Sequence, residues 1–111
     1  MNLDYAIDRL YETGWTPELD GELESGADGR QFPAVAAIQR EFAQAGLELQ
    51  IKHNSVFKCF RATWGPKGKA LDPSRSDDRH GTVIGSCERE AAVFALAQLR
   101  IAKAPQQMAL A

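Results

Sequence analysis

No stretch of this sequence approaches the ~18 consecutive apolar residues that a membrane-spanning helix needs. Cysteine is scarce too. Cys59 and Cys87 are too few for a disulfide framework, and free thiols agree with a reducing compartment. The start, Met1-Asn2-Leu3-Asp4-Tyr5, lacks the basic region and apolar stretch of a secretory signal, so the expected location is cytoplasmic, with no membrane partner. His53, Cys59, His80 and Cys87 lack the close ligand pairs of a structural zinc site, so neither a metal nor a cofactor is expected.

Signatures of catalysis are missing as well. Gly65-Pro66-Lys67-Gly68-Lys69 lacks the spacing of a phosphate loop and reads as a turn. Asp72, Asp77 and Asp78 lack the alternation and distal glutamate of a calcium loop and read as solvated. The best catalytic pairing sets Cys87, at a helix start that would lower its pKa, beside His80 as a base. No third, orienting group accompanies them, so Cys87 is expected to be a small buried residue and the protein not to be an enzyme.

What is present is ordinary globular composition, 44% hydrophobic and 25% charged over 111 residues, enough for one domain with a real core. The net charge of −2 hides an asymmetry. Residues 1–31 hold eight acids and two bases, whereas residues 32–111 hold seven acids and eleven bases. An acidic arm and a basic remainder are thus separated along the chain, and the arm is either a solvated linker or a mask over the bases.

Four segments follow from the patterning. Leu3, Ala6, Ile7, Leu10 and Tyr11 recur at helical spacing, giving an N-terminal helix within residues 1–15 that Asn2 can cap and Gly14 stops. Residues 16–32 lose that rhythm, gain glycines and acids, and read as an acidic loop or linker. The core domain is then expected at 33–104. It opens with a helix from Pro33 to Gly46. Leu47, Leu49 and Ile51 alternate with Glu48, Gln50 and Lys52 as a half-buried strand. A turn at His53-Asn54-Ser55 leads to a second strand, Val56 to Trp64. After a polar loop, Gly81 to Gly85 forms a third strand that enters a helix from Cys87 to about Ala102, with Ser86 as cap and a stripe of Ala92, Ala95, Leu96 and Leu99. Residues 105–111, from Pro105, are expected to fray.

The expected fold is therefore α+β: a three-stranded antiparallel sheet with two helices on one face, in the order αβββα, plus an N-terminal helix. In that order, and in the run Gly81-Thr-Val-Ile-Gly-Ser-Cys-Glu-Arg-Glu-Ala-Ala, the chain resembles the double-stranded-RNA-binding domain. The resemblance implies an RNA grip by lysines at the start of the last helix and by a loop between the first two strands. Here Cys87, Glu88, Arg89 and Glu90 stand at the first place and only His53, Asn54 and Ser55 at the second, and acids there repel phosphate.

Two binding readings remain beside a thiol-based or small-molecule site. The first is a non-enzymatic interaction domain that contacts a protein partner or a second copy of itself. The second is nucleic-acid binding through segment 52–79, where Lys52, Lys58, Arg61, Lys67, Lys69, Arg75 and Arg79 outnumber three aspartates. Phe57, Phe60 and Trp64 interleave with those bases and form a stacking platform if they face outward. The alternative is that Val56, Phe60 and Trp64 fill the core.

Overall fold

Alternation between apolar and polar residues from Leu47 onward becomes an edge strand of the main sheet, and the helices assemble on its apolar side. The structure, a computed structural model, describes residues 3–17, 22–72, 74, 77 and 79–110, with side chains described as far as Ile101. In chain order the elements are α1 (Leu3–Glu12), β1 (Leu23–Ser25), β2 (Gln31–Pro33), α2 (Val35–Gln44), β3 (Leu47–Asn54), β4 (Cys59–Pro66), β5 (Gly81–Gly85) and α3 (Glu88–Leu110). The fold is α+β, with a two-stranded sheet β1-β2 and a three-stranded antiparallel sheet β3-β4-β5. Among the described residues, no helix is long and apolar enough to cross a membrane.

Register sorts the side chains of the main sheet. Leu49 pairs with Trp64 and Trp64 with Gly81; Ile51 pairs with Ala62 and Ala62 with Val83. These residues share the face that meets α2 and α3, and Phe42 of α2 lies 5.5 Å from Trp64 between ring centroids. The seating of α3 requires glycine. A Cβ on Gly81 would lie 2.1 Å from the Trp64 ring, and one on Gly85 2.7 Å from the Ala91 nitrogen. Trp64 therefore occupies the space above Gly81, and the first turn of α3 sits directly on Gly85.

The start of α3 is held by side chains. Cys87 accepts the Ala91 N–H with its carbonyl and the Glu90 N–H with its sulfur. Ser86, expected to cap the helix, instead donates its N–H and its hydroxyl to the carboxylate of Glu90, which is fully buried. Beyond the expected stripe, Ala91, Val93 and Ala97 are buried as well. The reason is that α3 is covered on several sides, by the sheet, by α2 and by α1, and such a helix is apolar nearly all round.

Residues 22–33 correct the expectation of a linker, because they form the hairpin β1-β2. Its turn runs from Gly26 to Gly29, closed by the Gly29 N–H donating to the Gly26 carbonyl, with Gly29 at φ +84°, a conformation that glycine adopts readily. Phe32 is only 1% exposed, a burial worth about 1.5–3 kcal/mol, so the hairpin is docked on the core. Arg30 ties it to α1 through Asp8 and back to Asp28. The core is accordingly not confined to 33–104: α1 contributes Ala6, Ile7 and Leu10, all fully buried.

Three boundaries also move. Pro33 ends β2 and α2 begins at Val35, since Pro33 pairs with Leu23. The second strand of the main sheet begins at Cys59, because the turn takes Ser55 to Lys58. Finally, α3 runs through Pro105 to Leu110 where a frayed tail was expected; Ala104 and Gln106 to Leu110 are strong helix formers.

Gly81→Ala should destabilise the fold by about 1–3 kcal/mol in urea unfolding monitored by tryptophan fluorescence, since the new methyl displaces Trp64. A second expectation concerns the hairpin. The Asp28 carboxyl is held below its ordinary value of 3.8, first by the Arg30 N–H and further by the Arg30 guanidinium. A depressed carboxyl pKa contributes stability above the unfolded value that is lost as pH falls through the folded one. In an NMR titration, the Arg30 amide should shift with a midpoint below 3.8.

Candidate functional site

Because α2 and α3 cover one face of the main sheet, the outer face carries the alternate residues of each strand. Across its three strands Lys52 pairs with Arg61 and Arg61 with Ile84, in one row. The turn beyond that row is fixed by Asn54, whose side-chain oxygen accepts the N–H groups of Val56 (3.0 Å) and Phe57 (3.2 Å). Lys58 follows in the left-handed region at φ +51° and brings the chain into β4. This geometry lifts Val56 and Phe57 out of the protein, leaving them 81% and 77% exposed, and Ile84 is 52% exposed. Phe57, Ile84, Lys52, Arg61 and Cys59 line a shared concavity of about 770 Å³.

The other end of the outer face is closed. Loop residues Leu71 and His80 pack over Gly65, where a Cβ would meet each at 3.2 Å, and neighbouring Thr63 is buried. The imidazole of His80 lies 2.9 Å from Asp77, and the Asp77 N–H donates to the His80 carbonyl. This end of the polar loop is folded back on the sheet.

The seven basic residues therefore do not form one surface. Lys52, Lys58 and Arg61 gather at the hairpin end, while Lys67 and Lys69 follow the far end of β4, an eight-residue strand roughly 26 Å long. Arg79 is elsewhere again, its guanidinium 3.7 Å from the Cβ position of Gly46, which follows the C-terminal end of α2, where a cation complements the helix dipole. Arg75 lies outside the described residues. None of Lys52, Lys58 and Arg61 has an ion-pair partner among the described residues.

The aromatic platform also divides. Trp64 is in the core and Phe60 packs against it from the inner face, where its ring lies 4.7 Å from that of His53. Phe57 alone of the three faces solvent. Val56, expected in the core with them, is exposed because it belongs to the turn. The outward position of Ile84 was legible: Val83 and Ile84 are consecutive in one strand, so one must face out.

Cys87 and His80 flank β5 at opposite ends, separated by roughly 16 Å of strand, so no thiol–imidazole pair forms. Among the described residues, no three histidine, cysteine or acidic side chains cluster in a way that could hold a metal ion. The acidic arm does not mask the basic face where it is described: Glu22 pairs with Arg40, Glu24 with Arg89 and Asp28 with Arg30. Glu18 and Asp20 lie outside the described residues. No protein-family model, curated protein or solved structure matches the chain.

Placed at the end of α2, Arg79 serves stability. Arg79→Ala should cost about 0.3–1 kcal/mol in thermal or urea unfolding. Lys67→Ala, exposed beyond β4, should cost less.

Proposed function

We propose that this chain is a non-enzymatic interaction domain that binds a protein partner through the tip of the β3-β4 hairpin and the adjoining outer sheet face. One observation carries the reading. Of the four large hydrophobic side chains that the described residues expose, Val56, Phe57 and Ile84 stand together at this end of the sheet, and only Tyr5 is elsewhere. Single exposed apolar residues are normal, but a group of them beside a concavity and rimmed by cations is the composition of a contact surface. The turn is pinned by Asn54 and the row beneath it stands on hydrogen-bonded strands, so little ordering entropy is lost on binding.

Nucleic-acid binding at the same place is a second reading, favoured by Phe57 beside Lys52, Lys58 and Arg61. It ranks lower because two of the three exposed apolar groups are aliphatic and offer no π face for a base. The resemblance to the double-stranded-RNA-binding domain rests on element order. At the helix start where that family places lysines, Glu90 is buried against Ser86 and Arg89 is paired with Glu24, which leaves no phosphate grip there.

Photo-crosslinking tests the proposal directly. A photoreactive amino acid replacing Phe57 in the full chain, in cells, should give a discrete protein adduct that the same probe at Lys69 does not. Equal labelling at both positions, or adducts only to nucleic acid, would remove the protein-binding reading.

A further inference from the structure

We infer that the partner's contact segment is acidic and extended, with carboxylates that sit between Lys52 and Arg61 and an apolar side chain, within about two residues of them, that rests on Phe57 and Ile84. The inference rests on the reading just given and deepens it by naming the chemistry of the partner.

Charge carries the argument. Lys52 and Arg61 are direct register partners on the same exposed face of the sheet, and like charges opposite one another destabilise a strand pair. Elsewhere among the described residues the arginines are placed against acids or other acceptors: Arg9 has Glu12, Arg30 has Asp8 and Asp28, Arg40 has Glu22 and Arg89 has Glu24, Arg100 donates to the Thr13 hydroxyl, and Arg79 lies at the C-terminal end of α2. Among the described residues Lys52 and Arg61 have no such acid, and neither does Lys58 beside them. An anionic occupant turns this repulsion into attraction, and carboxylates accept well from an arginine fork.

Spacing and composition identify the rest. Adjacent strands lie about 4.8 Å apart, so a carboxylate over Lys52 and Arg61 is about 5–10 Å from Ile84. An extended chain covers that distance in two or three residues. The aliphatic Ile84 and Val56 suit a leucine- or phenylalanine-like side chain better than a nucleobase, which selects an acidic protein segment over a phosphate backbone.

The test uses the full chain and three fluorescein-labelled probes in polarisation titrations at low and at physiological salt: a decapeptide of glutamate, glycine and leucine with each acid within two residues of a leucine, its lysine-for-glutamate counterpart, and an oligo-dT of similar length. The acidic peptide should bind, weaken with salt, and lose roughly tenfold in affinity with Arg61→Gln. The same substitution in the free protein should raise the melting temperature by about 2–5 °C, because it relieves the repulsion. Tighter binding of oligo-dT, equal binding of the lysine peptide, or a lowered melting temperature would overturn the inference. If the Phe57 adduct forms but the acidic peptide does not bind, the protein-binding reading stands and the acidic partner falls. Without the adduct, both fall.

Discussion

The seating of α3 on the sheet is the contact on which the rest of the structure depends. It is possible because Gly81 and Gly85 have no side chains on the inner face of β5, leaving room for the Trp64 ring at one end and for the Ala91 backbone at the other. Small residues along the helix, Ala91, Ala92, Ala95 and Ala97, are all fully buried, and close packing of this kind responds to even one added methyl group. Ser86 and Cys87 then fix the helix start against Glu90, so strand and helix meet in one arrangement.

That seating has consequences on both sides. Inward, it makes α3 the element that α1 and α2 pack against, and so brings the N-terminal segment into the core. Outward, it commits the helices to a single face and leaves the opposite face of the sheet to be covered by loops or left open. The loop through Leu71 and His80 covers the Gly65 end. The hairpin end stays open, and there the pleat presents Lys52, Arg61 and Ile84 in one row beneath Phe57. The binding proposal follows from this division of the sheet.

Much of the fold was legible because its periodicities are local. The alternation from Leu47 to Lys52 and the glycine-bounded third strand gave the main sheet, and helical spacing gave α1, α2 and the start of α3. The hairpin at residues 22–33 was obscured by its acids, since short strands with one apolar residue each resemble a linker until Phe32 is seen to be buried. The Asp28-Gly29 dipeptide, which ends its turn, is the available signal. The candidate site was legible only in part. Composition groups Lys52, Lys58 and Arg61 with four bases that folding sends elsewhere or that lie outside the described residues. Which bases converge depends on strand direction and on where the loop returns, and neither is a property of composition. Propensity places Val56 and Phe57 in a strand because β-branched and aromatic residues favour one, whereas the Asn54 side chain draws both of their N–H groups into a turn.

The central claim, that one sheet face is sealed by helices while the hairpin end of the other is open, is tested most directly by methyl NMR with a soluble paramagnetic agent. The account predicts strong broadening of the Val56 and Ile84 methyl signals, while those of Ile38, Val93 and Leu96 are protected. Protection of Ile84 and Val56 in the dilute protein would contradict it, because the outer face would then already be covered.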